Sequence, residues 1–203
     1  MTVPDDVVQR LRSGDERAFR SVVKQLHRSM IGVAMGLVDN RATADEVVQD
    51  TWLAVIEGLD SFEQRSSLKT WIFAILVNKA RSRAVRDGKT TTVGDFSERA
   101  DDDQPVVDPS RFDSSGSWTS LPRDWNEPSP ERIVGGRQML EHARDAIQRL
   151  APGQRAVLIL REIEGMEPSE VNALLGITDA NQRVLLHRAR ARIREFMEDV
   201  LGK

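Results

Sequence analysis

The stretch FEQRSSLKTWIFAILVNKARSRAVR, residues 62–86, decides how the first half of the chain folds. Between Glu63 and Asp87 it carries six basic side chains and no acidic one, although acidic residues outnumber basic ones over the whole chain, 32 to 29. From Leu68 onward its apolar residues recur at helical spacing. Ser66 and Ser67 precede that pattern as candidate N-caps. The stretch therefore predicts a capped, cationic helix.

Two interpretations of this helix stay open on its residues alone. Phosphates bind positive charge and unstacked bases stack on flat apolar side chains, so a basic helix that begins among Phe62, Trp71 and Phe73 suits opened or single-stranded nucleic acid. The alternative is an amphipathic helix that buries its tryptophan in a core and turns a basic face to water.

The composition favours a helical protein. Of 203 residues, 39% are hydrophobic, 30% are charged and 5% are aromatic, and tyrosine and cysteine are absent. The lack of cysteine excludes disulfides, thiolate nucleophiles and cysteine metal sites, and it fits a reducing cytoplasm. No signal-peptide pattern opens the sequence and no apolar run is long enough to cross a bilayer, so we expect a cytoplasmic protein without membrane insertion.

The acidic residues are concentrated in the middle of the chain. Residues 95–131 hold ten acidic and three basic side chains, whereas both ends are mildly basic. Residues 90–131 are rich in Asp, Ser and Pro and lack a sustained helical or strand period, which predicts a long acidic linker. DNA binding is thus left open for the two ends.

A polar edge lies on the helix that precedes the basic stretch. This helix is predicted to begin at Thr43, with Thr43 and Glu46 as a capping box, and its apolar side includes Ile56. The opposed edge consists of Asp45, Glu46, Gln49 and Asp50, called the acidic edge below. It is either a solvated face or a docking surface for a basic partner.

The C-terminal segment has the pattern of a helix-turn-helix. A short helix from Pro168 to Gly176, a turn of about four residues and a basic helix follow one another. The second helix of such a motif offers polar side chains to base edges and arginines to phosphates. The residues expected to face DNA are Thr178, Asn181, Gln182, Arg183, His187, Arg188 and Arg190. The alternative is an amphipathic helix with Val184 and Leu185 in the core; the preceding helix and turn favour DNA.

Four stretches carry a family resemblance. They are ADEVVQDTWLAV (44–55), SFEQRSSLKTWIFAILVNKAR (61–81), LAPGQRAVLILREIEGMEPSEVNALLGIT (150–178) and LHRARARIRE (186–195). In identity, order and separation they resemble the bacterial sigma factors of the sigma-70 type, specifically the two-domain, extracytoplasmic-function kind. Gln64 departs from the pattern, since family members often have glycine there.

The resemblance implies roles for the surfaces above. The acidic edge would dock on a basic coiled coil of core RNA polymerase, the linker would run near the polymerase active site, and the C-terminal helix-turn-helix would bind the −35 element of promoter DNA. An anti-sigma factor is an implied further partner. The residues that would bind the −10 element are Arg65, Ser66, Ser67, Leu68, Lys69, Trp71, Asn78, Lys79 and Arg81.

We therefore predict an all-α protein of two small helical domains joined by a long acidic linker. The boundaries are a domain over 1–89 that binds polymerase and the −10 element, a linker over 90–131 and a helix-turn-helix domain over 132–203. The predicted function is promoter recognition and initiation as an alternative sigma factor; the alternative is a stand-alone helix-turn-helix regulator of duplex DNA. We find no catalytic or phosphate-binding motif and expect no enzyme activity, no cofactor and no metal.

Overall fold

The chain folds into helices, as predicted. The computed structural model describes residues 5–87 and 130–201, with side chains described for 6–87 and 139–200, and these ranges contain no β-strand. The helices are α1 (Asp5–Arg12), α2 (Glu16–Ala34), α3 (Arg41–Gly58), α4 (Leu68–Arg86), α5 (Pro130–Arg149), α6 (Pro152–Leu158), α7 (Pro168–Leu175) and α8 (Asp179–Leu201). Most of the predicted linker, 90–129, lies outside the described residues.

The N-terminal domain is built from α1 to α4. The Asp15 carboxylate caps α2 by accepting from the backbone N–H groups of Arg17 and Ala18. Helix α4 packs across α2 and α3, and its residues Ile72, Phe73 and Leu76 are completely buried. The stretch that begins at residue 62 thus supplies the centre of this core.

The caps of α3 and α4 test the predicted helix starts. Helix α3 begins at Arg41, two residues before the predicted start, because the Asn40 side chain accepts from the Thr43 N–H. The prediction of a capping box formed by Thr43 and Glu46 is therefore wrong, because Thr43 lies inside the helix. Ser67 caps α4 through the Thr70 N–H, which confirms one of the two predicted candidates.

The C-terminal domain is built from α5 to α8. Helix α6 continues into a wider π-helical turn, Ile159–Ile163, and Gly165 reverses the chain in a left-handed conformation. Leu150, Leu158 and Ala189 form a small buried cluster that joins α5, α6 and α8. Helices α7 and α8 form the predicted helix-turn-helix.

The two domains pack directly on each other and share one continuous hydrophobic core. Helix α2 lies against α6 and the π-helical turn, and α4 lies against α7. A Cβ atom at Gly32 of α2 would be only 2.3 Å from Cδ1 of Ile159, and one at Gly36 would be 2.7 Å from the Pro152 carbonyl oxygen. Glycine at these positions permits this close approach of α2 to the C-terminal domain.

Candidate nucleic-acid interface

The acidic edge lies on the solvent side of α3. Glu46, Gln49 and Asp50 are exposed and Asp45 is half-buried. Asp45 pairs with Arg41 at 3.0 Å, and Glu46 pairs with Arg83 of α4 at 2.7 Å. Hydrogen bonds from Arg83 to Glu46 and to Asp87 raise the arginine's pKa. Asp50 makes no ion pair with any described residue, so its charge is fully available to a partner.

An apolar continuation of this edge was missed by the sequence analysis. Leu53 and Ile56 follow Gln49 and Asp50 at helical spacing, and they are 59% and 56% exposed. The prediction that Ile56 lies on the apolar side of the helix, opposite the acidic edge, is therefore wrong. The spacing of three and four residues from the acidic edge could have revealed this stripe, since such residues share a helix face.

The loop before α4 is held in a fixed conformation. The rings of Phe62 and Trp71 stack with centroids 4.8 Å apart, and the Arg12 guanidinium donates to the Phe62 carbonyl. Gln64 has a left-handed backbone with φ of 57°, a conformation that disfavours residues with a Cβ. Arg65, Ser66 and Ser67 follow this turn and are exposed. They are therefore presented to solvent at the start of α4.

The structure separates the remaining predicted −10 residues into three groups. Asn78 is exposed, while Trp71 and Lys79 are half-buried on the N-terminal domain. Leu68 is buried in the core and presents no side chain to a ligand. Lys69 and Arg81 are half-buried and donate hydrogen bonds to the C-terminal domain.

The contact between Lys69, Arg81 and the C-terminal domain is polar. The Lys69 ammonium lies 3.5 Å from a Glu164 carboxylate oxygen and also donates to the Glu164 carbonyl. The neighbouring Thr70 hydroxyl donates to Glu170 at 2.9 Å. Arg81 donates to the Leu174 carbonyl at 2.8 Å, and burial lowers the pKa of its guanidinium.

The helix-turn-helix has the local geometry that its sequence predicts. Glu167 and Glu170 form a capping box at the start of α7, and Gly176 ends this helix with φ of 62°. The Thr178 hydroxyl accepts from the Asn181 N–H and so caps α8. These two caps fix the turn between α7 and α8.

Gln182 lies inside the motif rather than on its surface. Its side chain is 3% exposed, and its amide donates to the Pro168 carbonyl at 2.9 Å and to Asn172 Oδ1 at 2.7 Å. The side chain thus bridges α7 and α8 and is not available to a base. The prediction that Gln182 faces DNA, which rests on its position after Asn181 in the polar start of α8, is therefore wrong.

The other predicted residues of α8 are accessible to different extents. Thr178 and Arg183 are exposed, and Arg183 forms an ion pair with Asp179 one turn earlier. Asn181, His187, Arg188 and Arg190 are half-buried, and Arg190 pairs with Glu162. Val184, expected in the core under the alternative interpretation, is 45% exposed beside Arg183. The start of α8 therefore presents a mixed polar, basic and apolar surface.

Within 5–87 and 130–201, no cluster of three or more histidine or acidic side chains is arranged to hold a metal ion. No helix in the same ranges is long and apolar enough to cross a membrane.

Comparison with known families matches both helical domains. Residues 22–90 match the family model for sigma-70 region 2, and residues 140–193 match the model for sigma-70 region 4. The two matches occur in that order and together take in more than half of the chain. The region 2 match includes the acidic edge and all of α4, and the region 4 match includes α7 and α8 as far as residue 193.

Relatives of similar length agree with these matches. The chain is 24% identical to the RNA polymerase sigma-H factor of Pseudomonas aeruginosa, over 96% of this chain and 94% of the relative. It is 24% identical to the ECF RNA polymerase sigma-E factor of Escherichia coli K12, over 97% of this chain and 95% of the relative. The solved structure of the sigma factor RpoE in complex with the anti-sigma factor NepR from Bartonella quintana shares the fold, with a TM-score of 0.51 and 23% identity. The match covers 89% of this chain and 96% of the solved one. The chain therefore belongs to the sigma-70 family, as an extracytoplasmic-function sigma factor that directs RNA polymerase to promoters.

Proposed function

We propose that three surfaces divide promoter recognition between the two domains. The acidic edge binds core RNA polymerase, the start and outer side of α4 bind the −10 element, and the start of α8 binds the −35 element. The observation that carries this assignment is the union, in one N-terminal domain, of an exposed acidic edge and a basic helix with aromatic stacking at its start. A stand-alone helix-turn-helix regulator needs neither feature, and no catalytic step is required of any residue.

Core polymerase is the partner of the acidic edge in this proposal. The edge offers at Asp50 a carboxylate that has no ion pair among the described residues, and it continues into exposed Leu53 and Ile56. A basic helical partner would form charge-assisted contacts with the edge and cover the apolar pair. Exposed apolar side chains beside charges are typical of a protein interface.

The −10 element binds the start and outer side of α4. Arg65, Ser66 and Ser67 supply hydrogen-bond donors at the start of α4, and Asn78 supplies an amide three turns later. Half-buried Trp71, which stacks on the buried Phe62 ring, supplies an aromatic face beside them. Extracting a base costs a few kcal/mol, which donors and an aromatic face offset.

The −35 element binds the start of α8. In this proposal Asn181 and Arg183 contact base edges, and Thr178, Arg188 and Arg190 contact the DNA backbone. Gln182 is left out of this surface because it bridges α7 and α8.

An anti-sigma factor and a cytoplasmic location complete the proposal. The similar Bartonella quintana sigma factor was solved in complex with an anti-sigma factor. A protein of this kind is the expected inhibitor of the present chain, and the cytoplasm is where it would meet polymerase and DNA.

Association with core polymerase is the first test. The purified chain is mixed with bacterial core polymerase, the complex is isolated, and run-off transcription is carried out on genomic fragments. New start sites that depend on the chain support the proposal. A chain that binds duplex DNA alone and leaves polymerase without new start sites would support the stand-alone regulator instead.

Asp50→Lys tests the docking surface. Because Asp50 has no ion pair among the described residues, the change removes polymerase contacts without breaking an internal bridge, whereas Glu46 also holds Arg83. We expect polymerase affinity to fall at least tenfold with the thermal midpoint unchanged. Asp6→Lys, an exposed change of equal charge on α1, is the matched control. Equal affinity of both variants would reject the acidic edge as the docking site.

A further inference from the structure

We propose that Arg12 of α1 is a positioning residue for −10 binding. Its guanidinium fixes residues 62–67, called the −10 loop below, and this loop presents Arg65, Ser66 and Ser67 to the DNA strand. The inference rests on the proposed −10 function of the start of α4. It extends that function to α1, which lies before residue 22, where the region 2 match begins.

The first observation is that Arg12 spans the turn from which the −10 loop leaves. Its Nε donates to the Leu59 carbonyl at 3.2 Å, and its Nη2 donates to the Phe62 carbonyl. Leu59 opens a single turn of 3-10 helix, Leu59–Ser61, and Phe62 follows that turn. The guanidinium is planar and holds its donors in a fixed geometry, so one group sets the position of both carbonyls relative to α1.

The second observation is that the Arg12 guanidinium is held on its own helix and is not taken up by an acidic side chain. Leu11, the preceding residue, is buried in the core of the N-terminal domain. The Asp15 carboxylate, three residues later, pairs with Arg10 at 2.8 Å. Arg12 makes no ion pair with any described residue. Its charge-assisted hydrogen bonds are therefore directed to the two carbonyls.

The third observation is that most of the −10 loop is exposed. Residues 63–67 are exposed, and only the Phe62 ring is buried. Gln64 has φ of 57°, and a non-glycine residue keeps such a backbone only where its surroundings hold it. Without Arg12, the Phe62 ring at one end and the Ser67 cap of α4 at the other are the remaining anchors of the loop.

The position of the −10 loop matters because a base is captured by donors that are already in place. A loop that moves must be ordered when DNA binds, and this ordering lowers the affinity. Arg12 contacts the loop through backbone carbonyls and leaves the side chains of Arg65 and Ser66 exposed. In this proposal Arg12 therefore acts on the DNA through the loop.

The first experiment measures the loop itself. Arg12→Met keeps an unbranched apolar side chain and removes both hydrogen bonds. Arg17→Met is the matched control, since Arg17 is exposed on α2 and makes no ion pair with any described residue. The readout is hydrogen exchange, followed by NMR, of the Phe62 amide, which donates to the Leu59 carbonyl at 3.2 Å.

The Phe62 amide should exchange about tenfold faster in Arg12→Met than in Arg17→Met, the effect expected for the loss of a hydrogen bond from a charged group. The Phe73 amide, in the buried middle of α4, should exchange equally in both variants. Equal exchange at Phe62 would overturn the positioning role. A rise at Phe73 as large as that at Phe62 would overturn it too, because the variant would then have lost global stability.

The second experiment measures promoter binding by the complex of the chain with core polymerase. The probe is a promoter mapped by run-off transcription, in which each base of the −10 non-template strand is replaced in turn by an abasic site. In the wild type, the abasic site at the captured base should lower the affinity about tenfold. Arg12→Met should bind the intact promoter about tenfold more weakly and lose less than about threefold at that abasic site. Arg17→Met should match the wild type on both probes.

The abasic series separates the role of Arg12 from the −10 function on which it rests. If no abasic site affects the wild type, base capture by the −10 loop is rejected, and the role of Arg12 with it. If the wild type is sensitive and Arg12→Met keeps the full loss at the same site, Arg12 does not position the loop, and the −10 function stands. Arg12→Lys, which keeps a donor for one carbonyl, should regain part of the affinity for the intact promoter; no recovery, together with unchanged Phe62 exchange, would also overturn the role.

Discussion

Replacing Gln182 tests whether this residue holds the helix-turn-helix together or contacts DNA. Gln182→Met keeps the volume of the side chain but removes its two donated hydrogen bonds, to the Pro168 carbonyl and to Asn172 Oδ1. Each neutral hydrogen bond contributes about 0.5–1.5 kcal/mol net, so the variant should lose about 1–3 kcal/mol of unfolding free energy. Gln182→Ala also removes a buried methylene, worth about 0.8 kcal/mol, and should lose about 2–4 kcal/mol.

Urea unfolding followed by circular dichroism measures this effect. With a slope of about 2 kcal/mol per molar urea, a loss of about 2 kcal/mol moves the midpoint down by about 1 M. Asn181→Ala is the matched control, because Asn181 is the adjacent residue and its side chain is half-exposed. This control should keep the wild-type midpoint and lose −35-dependent transcription.

The opposite pattern would refute the reasoning. If Gln182→Met kept the wild-type midpoint but lost −35 dependence, the amide would contact a base, as the sequence alone suggested. If Asn181→Ala lowered the midpoint as much as Gln182→Met, the burial difference between the two positions would not determine their roles.

Three further predictions concern the backbone and one titrating cap. Gln64→Gly should raise the unfolding free energy by about 0.5–1 kcal/mol, because glycine relieves the left-handed strain at φ of 57°; an unchanged urea midpoint would show that the turn carries no strain. Gly176→Ala should have the opposite sign, a loss of about 1 kcal/mol at φ of 62°, and equal stability would contradict the left-handed end of α7. Hydrogen bonds from the backbone N–H of Ala18 and then from the Arg10 guanidinium lower the pKa of Asp15. The ionised Asp15 therefore stabilises the folded state fully above its ordinary pKa, and this stabilisation is lost as pH falls through the lowered value. As pH is lowered from 6 to 2, the thermal midpoint should therefore fall less steeply for Asp15→Asn than for the wild type. Parallel curves for the two proteins would show that Asp15 does not contribute to acid unfolding.

Features that depend on neighbours in the sequence were predictable. The helix at residues 68–86, its Ser67 cap and the left-handed Gly176 follow from spacing, a hydroxyl before the helix and a glycine after one. Where two local signals competed, the prediction failed. Asn40 and Thr43 are both good N-caps, and only the structure shows that Asn40 accepts the Thr43 N–H.

The division of the basic stretch into covered and exposed side chains was not predictable, because it depends on residues far away in the sequence. Lys69 and Glu164 are 95 positions apart, and Arg81 and Leu174 are 93 apart, on opposite sides of the acidic segment. Hydrophobic periodicity places Lys69 at the start of α4 but contains no information about which domain lies over it. The same holds for Gly32, which in the sequence is only a glycine within a helical pattern and in the fold is the point where Ile159 approaches α2. A pattern of charges along one helix therefore identifies a potential binding surface, whereas its availability is set by long-range packing. For this chain, that packing covers Lys69 and Arg81 and leaves Arg65, Ser66 and Asn78 exposed, so the −10 surface proposed for α4 is reduced to the residues outside the contact between the domains.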